Sequence, residues 1–234
     1  MKNPKKILIA NRGVIAIRAL RAAKELGYQV ASVYSTIDKD QKHLKLSDEA
    51  ICIGPAASKD SYLNEAAIIA AAELVGADAI YPGYGFLAEN SSFAEKCNQS
   101  GFKFVGPDPK VIEIMGDKIK AKELIESLGV PIVPGYTGNI QSQDQIENIV
   151  DEIGYPVIVK ASAGGGGKGM RVVEKKKDLW DCVISAQNEA QLAFGNGEVF
   201  IEKYLQKPRH IEVQVFGDGK GKVVHLYSRD CSLQ

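Results

Sequence analysis

The stretch YPVIVKASAGGGGKGMR, from Tyr155 to Arg171, joins a short apolar run, a lysine and a cluster of glycines. The apolar run Val157–Val159 is β-branched and does not alternate with polar residues, which predicts a strand covered on both faces. A glycine cluster destabilises strands and helices, but it lets the backbone approach a ligand closely. Successive N–H groups in such a loop can bind an anion, and Lys160 and Lys168 place positive charge on either side. We therefore predict that a phosphate chain binds here.

Familiar phosphate-binding motifs do not fit this stretch, although Gly164, Gly166 and Gly169 match G-x-G-x-x-G. The dinucleotide fingerprint also needs a helix to begin in the loop, and residues 170–174 predict a second strand instead. A P-loop needs Ser or Thr after its Gly-Lys pair, but Lys168 is followed by glycine. In protein kinases the strand lysine follows the glycine loop, whereas here it precedes the loop. A flexible glycine linker is the remaining alternative, and the apolar flanking strands argue against it.

The first half of the chain alternates predicted strands and helices, which is the pattern of a doubly wound parallel sheet. The predicted strands are residues 7–10, 30–34, 51–53, 79–81 and 102–105. The predicted helices are residues 14–26, a segment capped by Ser61 that runs to about 75, and residues 110–128. The proline- and glycine-rich segment 130–138 predicts a hinge. Beyond it, the glycine hairpin, a helix at 178–192 and a strand at 198–204 have the size of a small lid.

The last part of the sequence predicts the beginning of an antiparallel sheet. Residues 209–216 alternate between apolar and polar side chains, and the segment GDGKG at 217–221 predicts a hairpin turn into a strand at 222–227. No helix follows to cover this sheet. We therefore expect the sequence to be a fragment of a longer protein.

The composition argues against several classes of partner. With 29 basic and 29 acidic residues the formal net charge is zero, so no global field attracts nucleic acid or an anionic membrane. Four cysteines without a C-x-x-C pair argue against a zinc site or a disulfide framework. No apolar stretch approaches the roughly 20 residues that span a bilayer, and a strand predicted from residue 7 leaves no room for a secretory signal. These features predict a cytoplasmic protein that binds neither nucleic acid nor membrane.

Several segments together resemble biotin carboxylase, a family of the ATP-grasp superfamily. The strand, lysine and glycine hairpin at 155–171 are similar to the ATP-grasp lid. The other matching segments are IANRG (9–13), YPGYGFLAEN (81–90), MGDK (115–118), EKYL (202–205), PRHIEVQV (208–215) and SRDCSLQ (228–234). They occur in the right order with compatible spacing, and the resemblance runs from Lys6 to the last residue.

The resemblance implies an α/β fold built from two domains. Residues 1–115 would form a Rossmann-like domain with a parallel sheet, and residues 116–234 would form an incomplete ATP-grasp domain. Within the second domain, residues of about 133–204 would form the lid and residues 205–234 the start of the C-terminal sheet.

The resemblance also implies an ATP site. Two lysines and the glycine loop would contact the phosphates, the EKYL segment would face the adenine ring through backbone groups and its acid, and a histidine would lie near the ribose. The predicted nucleotide contacts are Lys118, Lys160, Gly165, Gly166, Gly167, Met170, Glu202, Lys203, Tyr204, Leu205, His210 and Gln234.

From the residues alone, other interpretations of these positions stay open. Lys118 is compatible with a solvated surface lysine, residues 202–205 with an ordinary edge strand, and His210 with a surface or capping residue. The loops at 11–13 and 81–90 follow predicted strands, where ligands gather in parallel sheets. They are either substrate-side loops or packed loops at a domain interface.

The implied reaction uses ATP and Mg²⁺ to phosphorylate bicarbonate, and the CO₂ released from carboxyphosphate then carboxylates biotin on a carrier domain. The family's catalytic residues and metal ligands are expected beyond Gln234, so we predict none within this chain and no turnover by the fragment alone. The implied partners are a biotin carboxyl carrier domain or protein, a carboxyltransferase component and, at full length, a second copy in a homodimer. The final carboxyl acceptor, such as the acetyl-CoA used in fatty acid biosynthesis, stays open.

Two other functions remain as alternatives. Another ATP-grasp ligase, such as a carbamoyl-phosphate synthetase, shares the lid motif. A non-catalytic nucleotide-binding module would need none of the acids that are expected beyond residue 234.

Overall fold

The structure, a computed structural model, describes residues 5–162 and 169–233. Its residues cluster into two compact units, which meet in the sequence at Leu124 and Ile125. The domain limits implied by the resemblance and the hinge predicted over 130–138 stay predictions. Between Leu128 and Pro134 the chain forms neither helix nor strand.

A parallel sheet forms the centre of the first unit. Its strands are β1 (Lys6–Ile9), β2 (Gln29–Ser35), β3 (Glu49–Gly54), β4 (Ala79–Tyr81) and β5 (Lys103–Phe104). The strand order is β3-β2-β1-β4-β5, and every neighbouring pair is parallel. The chain therefore winds outward from β1 to one edge and then crosses to the other, which confirms the predicted doubly wound α/β fold.

Helices cover both faces of this sheet. They are α1 (Gly13–Glu25), α2 (Lys42–Leu46), α3 (Glu65–Leu74), α4 (Ser91–Gln99) and α5 (Pro109–Gly116). A further helix, α6 (Lys118–Ser127), has no buried residue and spans the boundary between the two units. Side chains alternate along a strand, so Leu8 packs into the larger core with Phe93, while Ile9 packs against Leu20 of α1 on the other face. Burial on both faces is the reason why the central strand β1 reads as a continuous apolar run.

The single helix predicted from Lys110 to Leu128 was wrong, because the chain is extended at Asp117 (φ −93°, ψ 111°). Oδ1 of Asp117 accepts hydrogen bonds from the N–H groups of Ile119 at 2.9 Å and Lys120 at 3.1 Å. Aspartate is a favoured helix cap because its carboxylate satisfies N–H groups of the first turn. Asp117 therefore separates α5 from α6 and makes Lys118 the first residue of α6.

Other helix starts also depend on side-chain caps. The predicted cap Ser61 was wrong: Oδ1 of Asn64 accepts the hydrogen bond from Ala67 N at 3.1 Å that caps α3. Ser61 instead follows a 3-10 turn (Ser58–Asp60), and its hydroxyl donates to the Ala57 carbonyl at 2.9 Å. Helix α4 was not predicted, although Asn90 caps it by accepting from Phe93 N at 2.8 Å.

An antiparallel sheet with helices on one face forms the main part of the second unit. Its strands, in the order β6-β9-β7-β8, are β6 (Gly135–Tyr136), β7 (Val157–Ala161), β8 (Arg171–Val173) and β9 (Val199–Lys203). Two helices pack against it, α7 (Gln143–Ile153), which was not predicted, and α8 (Leu179–Phe194). Val157, Val159 and Ile201 belong to the core that these helices close. The alternate residues of β7 and β9 therefore lie on the opposite face.

A separate hairpin follows, formed by β10 (Ile211–Gly217) and β11 (Val223–Asp230). The two strands pair antiparallel, with an irregularity between Val213 and Val215. Oδ1 of Asp218 accepts from the N–H groups of Lys220 and Lys222 at 2.7 and 3.0 Å, which fixes the turn. The predicted hairpin is confirmed, and its second strand extends beyond Tyr227.

Candidate functional site

Lys160 and Glu202 form an ion pair on the face of the second unit's sheet that lies opposite α7 and α8. In the pairing of β7 with β9, Ile158 faces Glu202 and Lys160 faces Phe200. Because side chains alternate along each strand, these four residues share one face. Lys160 Nζ donates to Glu202 Oε2 at 2.6 Å. A lysine at the end of a buried strand needs an anionic partner. Here that partner is Glu202, which is itself a predicted nucleotide contact.

The surroundings of this pair are apolar. Ile158 and Phe200 are 7% and 2% exposed, whereas Met170 and Val172 on the neighbouring segment are 40% and 43% exposed. Val172 pairs with Ile158 across the sheet, and Met170 immediately precedes β8. The face thus combines one lysine and one carboxylate with an apolar surface, which suits a ligand that has both a flat base and a charged chain.

Gly135 of β6 lets this strand pack closely against β9 beside Glu202. It pairs with Glu202 in the sheet, and a Cβ atom there would collide with the carbonyl oxygen of Ile201. Only glycine fits this close approach between β6 and β9. The position of β9 between β6 and β7 also corrects the edge-strand interpretation of residues 202–205, because β9 is an inner strand.

The side chain of Lys203 lies on the opposite face from Glu202. Its Nζ donates to the carbonyl oxygens of Gly154 at 2.9 Å and Tyr155 at 2.8 Å. The N–H group of Lys203 donates to the Pro134 carbonyl, and that of Tyr204 donates to the Pro156 carbonyl. Any nucleotide contact by the backbone of residues 203–205 therefore uses other groups. The Lys203 ammonium stabilises the turn before β7.

The remaining predicted contacts are spread along the chain. Lys118 is exposed at the start of α6 in the first unit. His210 is exposed before β10, where its N–H donates to Ser232 Oγ at 2.9 Å and its carbonyl accepts from Cys231 N at 2.7 Å. Leu205 is half exposed. The predicted contacts Gly165, Gly166, Gly167 and Gln234 lie outside the described residues.

Two polar contacts that the sequence analysis missed hold the chain on either side of the glycine loop. Ser162 Oγ donates to Glu198 Oε2 at 2.9 Å, and Ser162 N donates to the Glu198 carbonyl at 2.9 Å. On the far side, Arg171 donates to Glu189 of α8 at 2.6 Å. Both partners are distant in the sequence, so no local pattern identifies them.

In the first unit, Asn11 joins the loops that follow β1 and β4. The side chain is fully buried, and its Nδ2 donates to the carbonyl oxygens of Pro82 at 2.8 Å and Tyr84 at 3.0 Å. Gly83 between them has φ +70°, and a Cβ there would lie 2.6 Å from Ile15 Cγ2. The two predicted loops therefore form one packed structure at the carboxyl edge of the sheet, with Tyr84 68% exposed.

A buried carboxylate holds Arg12 beside these loops. Asp38 Oδ2 accepts from Ser35 Oγ at 2.6 Å, Tyr62 Oη at 2.8 Å and Arg12 Nη1 at 3.2 Å. The Arg12 guanidinium carbon lies 5.1 and 5.5 Å from the centroids of the Tyr62 and Phe86 rings, which stack on each other. The guanidinium is thus fixed by both an ion pair and two aromatic rings.

These contacts shift the pKa values of the buried groups. Burial raises the pKa of the Asp38 carboxyl, but the hydrogen bonds it accepts and the nearby guanidinium charge outweigh burial, so its pKa lies below the ordinary value of 3.8. Burial and the hydrogen bond to Asp38 raise the pKa of Tyr62 to about 12. Asp38 is therefore charged and Tyr62 neutral at pH 7, as this network requires.

Metal-binding clusters, disulfides and membrane-spanning helices are absent from the two described ranges. No group of three or more His, Cys, Asp or Glu side chains there could hold a metal ion. The four cysteines are free thiols. None of the described helices combines the length and the apolar character needed to cross a membrane.

Comparison with known families accounts for nearly the whole chain. Residues 3–112 match the family model described as biotin carboxylase, N-terminal domain. Residues 117–234 match the model described as carbamoyl-phosphate synthase L chain, ATP binding domain. The chain belongs to the biotin carboxylase family. The ATP-grasp resemblance is thereby confirmed.

Individual relatives agree with this assignment. The chain is 55% identical to a biotin carboxylase of Pseudomonas aeruginosa over 98% of its own length and 51% of that protein. It superposes with a TM-score of 0.93 on a Campylobacter jejuni biotin carboxylase in complex with β,γ-ATP, at 55% identity, covering 98% of this chain and 51% of the other.

A third relative is a dimeric biotin carboxylase domain from the Hydrogenobacter thermophilus 2-oxoglutarate carboxylase, in complex with MgADP, ADP and bicarbonate. Its TM-score is 0.92 at 50% identity, covering 100% of this chain and 51% of that one. The chain thus spans about half the length of each of these three relatives.

Acid is expected to destabilise the first unit through Asp38. Because its pKa is lowered on folding, the stabilisation it supplies is present above the unfolded value and is lost as pH falls through the folded value. Asp38→Asn should therefore cost about 1–3 kcal/mol at pH 7 and make stability less dependent on pH below about 4. Urea unfolding between pH 7 and 2, read by amide exchange in β2, measures both effects.

Asp40→Asn is the matched control, since Asp40 is exposed. Its loss should change neither the free energy of unfolding at pH 7 nor the dependence of that free energy on pH. Asp48 and Asp78 also have lowered pKa values, so the pH dependence should shrink and not vanish. An unchanged acid dependence in Asp38→Asn would show that the network does not supply this stability.

Lys203→Met is expected to destabilise the second unit by about 1–3 kcal/mol, because two carbonyl groups lose a charged donor. Trp180 packs against the core of this unit, so its fluorescence during urea unfolding reports the effect. Lys175→Met removes an exposed lysine of the same unit and serves as control. Equal unfolding midpoints for the two variants would contradict the assigned role of Lys203.

Proposed function

We propose that this chain is the N-terminal half of a biotin carboxylase, which uses ATP and bicarbonate to carboxylate biotin on a carrier. The observation that carries the proposal is the Lys160–Glu202 pair on an apolar face of the ATP-grasp sheet. Two predicted contacts that are far apart in the sequence meet there. A lysine beside a glycine-rich loop suits the phosphates, and a carboxylate beside an apolar surface suits the base.

The chain's own residues would bind and orient the nucleotide. Lys160 and Lys118, with the glycines at 165–167, would contact the phosphates. Glu202 and residues 203–205 would contact adenine, with Met170 against the ring. His210 and Gln234 would lie on the ribose side.

In our proposal the metal ligands and the groups that act on bicarbonate and biotin belong to the other half of the enzyme. The proposed partners are ATP, bicarbonate, a biotin carboxyl carrier, a carboxyltransferase and a second copy of the protein. Free thiols at all four cysteines support a reducing compartment such as the cytoplasm.

Calorimetry tests this proposal most directly. Mg²⁺ and ATP are titrated into the 234-residue chain and into a chain extended to the length of its relatives. We expect tight binding and biotin-dependent ATP hydrolysis only in the extended chain, because the site is completed by the second half. Tight ATP binding by both chains, unaffected by bicarbonate and biotin, would favour a non-catalytic nucleotide module instead.

Lys160→Ala is expected to remove most of the phosphate affinity of the extended chain. A charge-assisted contact to phosphate is worth roughly 1.5–3 kcal/mol, which corresponds to a loss of about 10- to 150-fold in ATP affinity. Lys177→Ala, which removes an exposed lysine of the same unit, is the control. ATP binding that is unchanged in Lys160→Ala would remove Lys160 from the site.

A further inference from the structure

Lys160 and Glu202 are paired with each other inside the site where we place the nucleotide. The distance between Nζ and Oε2 is 2.6 Å, and the side chains are 30% and 11% exposed. Ile158 and Phe200 beside them are nearly buried. A charged hydrogen bond is strong, and low polarity around it strengthens it further.

This pairing changes what an approaching anion encounters. A lone ammonium group attracts a phosphate over a long distance, since the interaction falls only with the first power of separation. When a carboxylate contacts the ammonium, the two fields largely cancel beyond the immediate contact. A polyphosphate without a base therefore gains little from Lys160 while Glu202 holds it, and it is also repelled by Glu202.

A nucleotide base alters this balance. A carboxylate accepts up to about four hydrogen bonds, so Glu202 can accept one from an exocyclic amino group while it contacts Lys160. The hydrogen bond from the base shares the negative charge of the Glu202 carboxylate. The hydrogen bond between this carboxylate and the Lys160 ammonium therefore becomes weaker. An oxo group at the same position of a purine is itself an acceptor, and the carboxylate repels it.

We propose that Glu202 makes phosphate binding by Lys160 depend on the base. Glu202 neutralises Lys160 until a purine with a 6-amino group binds. The Lys160 ammonium is then available to contact the phosphates. Glu202 is in this sense a positioning residue, which acts on the phosphates through Lys160. The inference rests on the proposed function, because it takes Lys160 as a phosphate contact.

The test compares three ligands in the full-length protein with Mg²⁺. Affinities for ATP, inosine triphosphate and inorganic tripolyphosphate are measured by calorimetry in the wild type and in Glu202→Gln. We expect tripolyphosphate to bind at least about tenfold more tightly to the variant, with a steeper salt dependence, because one adjacent negative charge is gone. The preference for ATP over inosine triphosphate should fall toward one, since a glutamine amide can both accept and donate.

Two further variants make the result specific. Glu152→Gln removes the same charge from an exposed residue of α7, on the opposite side of the sheet from Lys160, and it should leave all three affinities unchanged. The double variant Lys160→Met/Glu202→Gln should lose the gain in tripolyphosphate binding. If thermal unfolding shows that Glu202→Gln does not fold, Glu202→Asp takes its place, and a smaller gain is expected because the shorter side chain withdraws the carboxylate.

The alternative roles of Glu202 give different results. Unchanged tripolyphosphate affinity together with a reduced preference for ATP would mean that Glu202 only contacts the base, and the inference would be wrong. Weaker tripolyphosphate binding in Glu202→Gln would mean that Glu202 holds Lys160 ready for phosphate, which also overturns it. ATP affinity that is unchanged in Lys160→Met is a separate result, since it would overturn the proposed phosphate contact itself.

Discussion

The antiparallel pairing of β7 with β9 determines both the core and the polar face of the second unit. Its register places Val157, Val159 and Ile201 against the helices, so the same register must place Lys160 and Glu202 on the other face. A shift by one residue would exchange the two faces and bury the charged pair. The apolar core and the candidate site are therefore fixed by the same hydrogen-bond ladder.

The first unit shows a similar constraint at the carboxyl edge of its parallel sheet. Because β1 and β4 are neighbours, the loops that follow them must meet, and the backbone carbonyl groups buried there need donors. Asn11 supplies two hydrogen bonds from one side chain. The edge at which such sheets commonly bind ligands is in this unit largely occupied by the protein's own loops, with Tyr84 left exposed.

The periodic spacing of apolar residues made much of the fold predictable. Hydrogen-bond and ion-pair partners that are distant in the sequence could not be identified from any local pattern. The buried strands, α1 and the glycine hairpin were recognised from apolar runs and glycines. The break at Asp117 was missed because a cap interrupts a helix without changing its apolar spacing. At the site, the sequence predicted Lys160 as a phosphate contact, and a charged group at the end of a buried strand also needs a partner of opposite charge in the protein. Only the sheet register identifies that partner as Glu202, 42 residues away.

The energetics of the Lys160–Glu202 pair favour a functional reason for its presence. A partly buried ion pair loses much of its attraction to the cost of removing both charges from water, and apolar residues of similar size are often as stable or more so. The neighbours Ile158 and Phe200 show that this face accepts large apolar side chains. Fold stability alone would therefore be satisfied by an apolar pair at these two positions. A lysine and a carboxylate in contact are better explained by a ligand whose parts differ in polarity and charge, because each group then has a partner in both the free and the bound protein.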